Sequence, residues 1–280
     1  MPEIKTPTLR QIRYAHGWKR NYERYLPLSR YFYRPMAFLL TWLAIRLGLS
    51  TEAISWVSGA VGVIGLVCLM GKSPILISAG IGLLVLFNLL DCVDGSIARV
   101  MKTENPYGKY LDSVLGDTID FAFFPAVAIT AYRHPSLLTF SSAPEDGALL
   151  WLAIGGTTGF FYILLSHVEQ LFDYQIRSRQ IKRQEYAASH GDKTSGALSA
   201  FMADVNEPKS KTSLRLVDRN FRVRETHYLL LVFSLLLKSV HIFLLLFLAY
   251  YVFHTVITSV VCFQRAKRFR DAKQKPFGTN

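Results

Sequence analysis

Three aspartates fall within one short stretch of the chain, and their spacing can bring their carboxylates together. Asp91 and Asp94 are three residues apart, so on an α-helix they share a face. Asp112 follows after a short polar connection, on a segment that must run antiparallel to the first. Carboxylate oxygens favour a hard divalent ion, Mg²⁺ or Mn²⁺, and Cys92, which lies between the first two aspartates, has no obvious partner for a thiolate metal site. The pattern therefore predicts a metal site where two neighbouring helices meet.

The residues between these aspartates suit a ligand that carries phosphate. Gly95 and Ala98 have little side-chain bulk, which leaves room for a phosphate group to approach closely. Arg99 can donate a forked, charge-assisted pair of hydrogen bonds to phosphate. The same arginine could instead anchor a helix end at the lipid headgroups, so its role stays open at this point.

The elements that must position these residues are long apolar segments. Of the 280 residues, 51% are hydrophobic, and they are gathered into runs rather than scattered. A helix needs about 20 apolar residues to cross about 30 Å of hydrocarbon. The expected spans cover roughly 51–70, 75–100, 107–132 and 148–171, then a short fifth and a sixth within 226–263. We therefore predict an all-α integral membrane protein with six transmembrane helices.

The polar segments complete the domain organisation. Residues 1–48 are expected to be a cytoplasmic or interfacial segment whose 30–47 stretch forms an amphipathic helix lying on the membrane. Residues 49–270 would form the six-helix domain, with 172–225 as a hydrophilic loop, and 271–280 a basic tail. Ser50 or Thr51 is expected to cap the first span.

The formal net charge of +12 would suggest nucleic acid on a soluble protein. Here Lys and Arg are concentrated in the N-terminal segment, the 99–109 connection, the 172–225 loop and the tail. By the positive-inside rule these segments face the cytoplasm, and no nucleic-acid partner is needed to explain the charge. We expect a multi-pass protein of a bacterial-type inner membrane, with its termini and acidic cluster on the cytoplasmic side.

The stretch from Asp91 to Asp112 resembles the signature of the CDP-alcohol phosphotransferase family, D-x2-D-G-x2-A-R-x8-G-x3-D-x3-D. The residues that carry the resemblance are Asp91, Asp94, Gly95, Ala98, Arg99, Gly108 and Asp112. It implies that the hydroxyl of an acceptor alcohol displaces CMP from a CDP-linked donor, commonly CDP-diacylglycerol, in phospholipid synthesis. It also implies a membrane-lipid setting and a homodimer.

The resemblance assigns roles to individual residues as well. The signature's aspartates would hold Mg²⁺ or Mn²⁺ on the donor pyrophosphate, and its last aspartate would act as general base. The nucleotide would be contacted by Asp94, Gly95, Ala98, Arg99 and Gly108.

The fourth aspartate of the signature falls on Gly116, and Asp117 comes one residue later. With about 100° per residue, a regular helix would rotate Asp117 by about 140° from Asp112. A π-bulge could absorb the additional residue and return Asp117 to the site as metal ligand and general base, which is the arrangement we expect. Alternatively the base is missing, and the chain is a catalytically impaired paralogue or a scaffold. Asp120 is a further candidate, but it lies two turns from Asp112.

Four arginines form a second candidate set, for binding an anionic acceptor such as a sugar phosphate or inositol phosphate. They are Arg177, Arg179, Arg222 and Arg224. Positive-inside placement explains them equally well. Carboxylates within a membrane also mark ion paths, but these aspartates gather near one surface, which disfavours a cation transporter.

Overall fold

The computed structural model describes residues 7–17, 25–137, 145–178 and 213–274. Over these ranges the chain is helical and forms no β-strand, which confirms the all-α prediction. The helices are α1 (Leu9–Ala15), α2 (Arg34–Arg46), α3 (Thr51–Leu69), α4 (Pro74–Met101), α5 (Pro106–Arg133), α6 (Glu145–Phe172), α7 (Ser213–Phe221), α8 (Arg224–Leu236) and α9 (Val240–Gln274).

Five of these helices, α3, α4, α5, α6 and α9, are long and apolar enough to cross a bilayer. The chain is therefore an integral membrane protein. The predicted fifth span corresponds to α8, whose 13 residues extend only about 20 Å against about 30 Å of hydrocarbon. At its far end, Leu235 and Leu236 line a cavity together with Pro74 and Ile77 at the start of α4. The count of six spans stays a prediction.

Local sequence sets the ends of the helices that carry the acidic residues. The Ser50 hydroxyl accepts a hydrogen bond from the Ala53 amide at 3.1 Å, so the predicted cap of α3 is confirmed. Lys102 ends α4 in the left-handed conformation, with φ of 55°. The Asn105 side chain then caps α5 by accepting from the Gly108 amide at 2.7 Å. This short turn reverses the chain and brings Asp112 back towards the end of α4, while α4 and α5 both pack against α3.

An aromatic core holds α8 and α9 against α5. Phe124 on α5 packs against Phe247 and Tyr251 of α9, with ring centroids 5.4 and 5.6 Å apart. Phe123 packs in the same way against Tyr228 of α8 at 5.4 Å. Helix α8 also packs against α4 and α9, so the residues at its start reach the acidic end of the bundle.

The 172–225 segment contains more structure than the predicted loop. Helix α6 is followed by a π-helical turn at Asp173–Arg177, and α7 covers Ser213–Phe221. The Asn220 amide donates to the Tyr25 carbonyl at 3.0 Å, and the Tyr250 hydroxyl donates to Asp218 at 2.8 Å. Contacts with distant segments thus stabilise a helix within the hydrophilic segment, and its assignment as a cytoplasmic loop stays a prediction.

The predicted amphipathic helix corresponds to α2. Its residues Ala37, Ala44 and Ile45 are buried in a cluster with Val93 and Ile97 of α4. The helix thus packs on the element that carries the aspartates. Its placement at a membrane surface stays a prediction.

Candidate functional site

Helices α4 and α5 bring Asp91, Asp94 and Asp112 to one end of the bundle. The Asp112 carboxyl lies close enough to Asp91 and Asp94 for their negative charges to act on it. Asp112 is exposed, whereas Asp94 is only 4% exposed. The cluster therefore extends from the bundle interior to a surface that a ligand can reach.

Asp94 is held in place by Ser55, which lies near the start of α3. The Ser55 hydroxyl lies 2.6 Å from Asp94 Oδ2, to which it donates a hydrogen bond. Ser55 is itself buried, and the Gly95 amide donates a hydrogen bond to Oδ1, so both oxygens of Asp94 are held by the protein. Ser55 has no sequence signal that marks it for this role, since a serine inside an apolar helix has many ordinary roles.

Arg99 folds back over Gly95 and meets the N-terminal helix. A Cβ added at Gly95 would lie 3.3 Å from both terminal nitrogens of Arg99. One of these nitrogens, Nη2, donates to His16 Nε2 at 2.9 Å, and the Ser96 hydroxyl lies 3.1 Å from the same ring nitrogen. Nε2 therefore acts as an acceptor, while His16 Nδ1 donates to the Ile12 carbonyl at 3.3 Å. These contacts couple α1 to the predicted phosphate-binding arginine.

An open groove of about 730 Å³ lies next to this arginine. It is lined by Arg10 and Tyr14 of α1, and by Arg99 and Lys102 at the end of α4. Its basic lining suits an anionic ligand. Among the predicted nucleotide contacts, Arg99 lines this groove, and the binding of a nucleotide stays a prediction.

Two of the predicted nucleotide residues have local structural roles. The Ala98 carbonyl accepts from the Thr103 amide at 2.9 Å, which closes the turn after α4. A Cβ added at Gly108 would lie 3.4 Å from Asn105 Oδ1, the atom that caps α5. Both residues thus help to form the connection that sets Asp112 against Asp94.

The expected π-bulge is wrong, because α5 is α-helical from Pro106 to Arg133. On this regular helix Asp117 turns away from Asp112, and its carboxyl interacts with Gln170 of α6 and with Asp120. The π-helical turns of the described residues lie elsewhere, at Ser29–Tyr33 and Asp173–Arg177. Asp117 as metal ligand and general base stays a prediction, and it would require the side chain to reorient.

Arg224, at the start of α8, enters the acidic cluster directly. Its Nη1 lies 3.1 Å from Asp91 Oδ2, and its Nε lies 2.7 and 2.9 Å from the two oxygens of Asp120. Asp120 also accepts a hydrogen bond from the Tyr162 hydroxyl at 2.8 Å. Asp120 is thus the counter-ion of a partly buried arginine, a role that its position in the sequence did not reveal.

The other predicted acceptor-binding arginines are Arg222, Arg177 and Arg179. Arg222 forms an ion pair with Glu169 at the end of α6. Burial disfavours its charged form, yet the hydrogen bond and charge of Glu169 raise the pKa of Arg222 above the usual arginine value. The Arg177 side chain and the whole of Arg179 lie outside the described residues. Binding of an anionic acceptor by this set stays a prediction.

The described residues contain no group of three or more Asp, Glu, His or Cys side chains that could hold a metal by themselves. Arg224 already pairs with Asp91, and Ser55 already binds Asp94. Mg²⁺, however, is usually bound through one or two carboxylates together with water and substrate phosphates. The neighbouring oxygens of Asp91 and Asp112 fit that mode, since a cation between them would relieve their mutual repulsion.

Comparison with known proteins agrees with the chemistry of this site. A search of curated proteins finds no match to the chain. The sequence model of the CDP-alcohol phosphatidyltransferase family matches residues 35–203, which is more than half of the chain and runs from α2 past α6. The matched range contains all three clustered aspartates but ends before Arg222 and Arg224. On the strength of this match, the chain belongs to the CDP-alcohol phosphatidyltransferase family.

Proposed function

We propose that this protein transfers a phosphatidyl or other phosphoalkyl group from a CDP-linked donor to an acceptor alcohol and releases CMP. The family suggests transfer of a phosphoalkyl group from a CDP-alcohol. Our proposal adds CDP-diacylglycerol as the donor, Mg²⁺ or Mn²⁺ as the cofactor, and a role in phospholipid synthesis. The active site would face the cytoplasm, and the enzyme would act as a homodimer.

The observation that carries the proposal is the convergence of Asp91, Asp94 and Asp112 at one exposed end of the bundle. Asp112 interacts with both other carboxylates, although it lies on a different helix. The basic groove with Arg99 and Lys102 opens at the same end of α4. A diphosphate needs both features, since its oxygens must meet cations and its charge must be neutralised.

In the proposed reaction, the oxygen of the acceptor hydroxyl forms a bond to the donor phosphorus that carries the alcohol group. The bond from that phosphorus to the bridging oxygen breaks, and CMP leaves with the electron pair. A divalent ion, when bound, would neutralise the pyrophosphate and stabilise the leaving group. Asp91 and Asp112 would hold that ion, and Arg99 would orient the phosphates.

The hydroxyl proton must pass to a base or to water. Asp117 is the candidate base, although its carboxyl faces Gln170 in this structure. A carboxylate near cations is a weak base, so its contribution would come mainly from its position.

The decisive experiment is a CMP-release assay with the purified full-length protein in detergent. The protein would be incubated with CDP-diacylglycerol, with Mg²⁺ or Mn²⁺, and with a panel of acceptor alcohols that includes sugar phosphates and inositol phosphate. We expect CMP release that depends on both metal and acceptor and that stops when EDTA is added. A parallel series with small CDP-alcohols tests the donor class. No CMP with any donor would contradict the proposal.

The second candidate is a catalytically impaired paralogue or membrane scaffold. The observation in its favour is Gly116, which leaves the fourth signature position without a carboxylate. This candidate predicts that CDP-diacylglycerol still binds and stabilises the protein against heat. It also predicts that no acceptor in the panel produces CMP.

Ser55 offers a test of how Asp94 is positioned. We expect Ser55→Ala to lower the rate of CMP release by about 10- to 100-fold, because a group that orients a metal-site carboxylate typically contributes that much. Ser55→Thr keeps a hydroxyl and should retain most of the rate. Thr158→Ala is the matched control, since that buried hydroxyl bonds only within its own helix, at 2.7 Å from the Ile154 carbonyl. Equal rates for Ser55→Ala and this control would refute the role.

A further inference from the structure

Gly116 and Arg224 share one small volume next to the acidic cluster. A Cβ built on Gly116 would lie 2.4 Å from Arg224 Nη2, closer than side-chain carbons approach other atoms in proteins. Any side chain at position 116 would therefore displace the guanidinium. In this chain Arg224 occupies the place where the fourth carboxylate of the signature would begin.

The position of Arg224 is determined by contacts on several sides. Asp120 receives the Nε hydrogen bond, and Asp91 lies 3.1 Å from Nη1. The guanidinium carbon also lies 5.1 Å from the ring centre of Phe87. Only 20% of the side chain is exposed. Arg224 is thus a component of the cluster rather than a surface cation.

The exchange of a carboxylate for a guanidinium reverses the charge at this place. An arginine remains protonated in proteins, so its charge is permanent. It shares Asp91 with any metal that binds there, and like charges in a partly buried site repel strongly. The guanidinium and a divalent ion therefore compete for the same carboxylate.

We propose that Arg224 is a built-in cation of this site, which substitutes for part of the divalent-metal charge and requires Gly116 to make room for it. Arg224 holds Asp91 and Asp120 in place without metal, and it lowers the affinity of the cluster for the metal that binds beside it. It is a positioning residue in this role. The inference rests on the proposed function only in placing that metal at Asp91 and Asp112.

The test is a Mn²⁺ titration of the full-length protein in detergent, followed by the electron paramagnetic resonance signal of free Mn²⁺. Arg224→Gln should raise the Mn²⁺ affinity at least about tenfold, since a repelling charge and a competitor for Asp91 are both removed. Without metal, Arg224→Gln should have a lower melting temperature than the unaltered protein. Added Mn²⁺ should raise the melting temperature of Arg224→Gln by more than it raises that of the unaltered protein. Arg224→Lys keeps the charge but loses the forked contact to Asp120, so its Mn²⁺ affinity should rise by less than that of Arg224→Gln.

Gly116→Ala provides an independent variant that keeps Arg224 but displaces it. It should also raise the Mn²⁺ affinity, whereas Gly82→Ala, with no atom within 4 Å of its added Cβ, should leave it unchanged. Gly116→Asp should destabilise the protein when Arg224 is present and much less in combination with Arg224→Gln. This non-additivity would show that the two residues share one volume.

Three outcomes of the Mn²⁺ titration distinguish a failure of this inference from a failure of the proposed function. If Asp112→Asn weakens Mn²⁺ binding while Arg224→Gln and Gly116→Ala leave it unchanged, the inference is overturned and the metal site stands. If Asp112→Asn has no effect but Arg224→Gln strengthens binding, the metal lies elsewhere near Arg224 and the proposed site is wrong. Absence of Mn²⁺ binding in all variants would overturn both.

Discussion

Asp112→Asn is expected to reduce metal-dependent CMP release by about 1,000-fold, which corresponds to about 4 kcal/mol of lost transition-state stabilisation. The amide keeps the shape of the side chain but removes the negative charge that would bind a divalent ion. Asp112 is exposed and belongs to none of the ion pairs of the described residues, so the fold should survive the change. A loss of rate without a loss of melting temperature would therefore report on the site.

Asp91→Asn should reduce the rate to a similar extent, but its interpretation differs. Asp91 also pairs with Arg224, so this variant should lower the melting temperature as well as the rate. Glu52→Gln is a suitable control, because Glu52 is an exposed acidic residue in the first turn of α3 and lies outside the cluster. If both aspartate variants turn over as fast as this control, the site is wrongly assigned.

Gly155→Ala is expected to destabilise the protein by about 1–3 kcal/mol, because it overpacks the contact between α5 and α6. The added Cβ would lie 2.3 Å from the Ala128 Cβ and 2.8 Å from the Phe124 carbonyl oxygen. Neither the Phe124 carbonyl nor the short Ala128 side chain can rotate out of the way, so α5 and α6 must move apart. Gly159, one turn further along α6, makes a similar approach to the Phe121 carbonyl at 2.8 Å. Small residues at this spacing are typical of close helix packing in membranes.

The neighbouring Gly156 provides a matched control, since a Cβ there would meet no atom within 4 Å. Both substitutions gain the same intrinsic helix propensity, so the difference between them isolates the packing term. We expect Gly156→Ala to stay within about 0.5 kcal/mol of the unaltered protein or to stabilise it. The measurement is unfolding by a denaturing detergent, monitored by circular dichroism. Equal stability of the two variants would contradict the close α5–α6 contact.

The main features of the fold were predictable because they depend on local patterns. Runs of about 20 apolar residues predict membrane helices regardless of what surrounds them. Ser50 caps α3 by accepting a hydrogen bond from the amide of Ala53, three residues away, so its role could be inferred from the local sequence. The α8 helix was less predictable, because its position depends on packing against α4 and α9 and on the aromatic core that contains Phe124 and Tyr228.

The site was predictable to the extent that its residues lie close in sequence. Asp91, Asp94 and Asp112 could be inferred to converge because two helices and a short turn carry all of them. Ser55 contacts Asp94 from 39 residues away, and His16 contacts Arg99 from 83 residues away. Neither contact has a local sequence signal. At Gly116 the sequence shows only a departure from the family signature. No neighbouring residue indicates that Arg224 occupies the space beside it.

The sequence alone was thus enough to predict a membrane-embedded helical protein with three clustered carboxylates, because helix periodicity and the connection at 102–105 act over short distances. Only the tertiary structure decided which side chain occupies the space at the fourth aspartate position of the signature. It showed a regular α5 with Asp117 turned towards α6, and Arg224 bound to Asp120 from 104 residues away. The physical reason is that the partner of a buried charge is selected by the packing of whole helices, which no local pattern specifies.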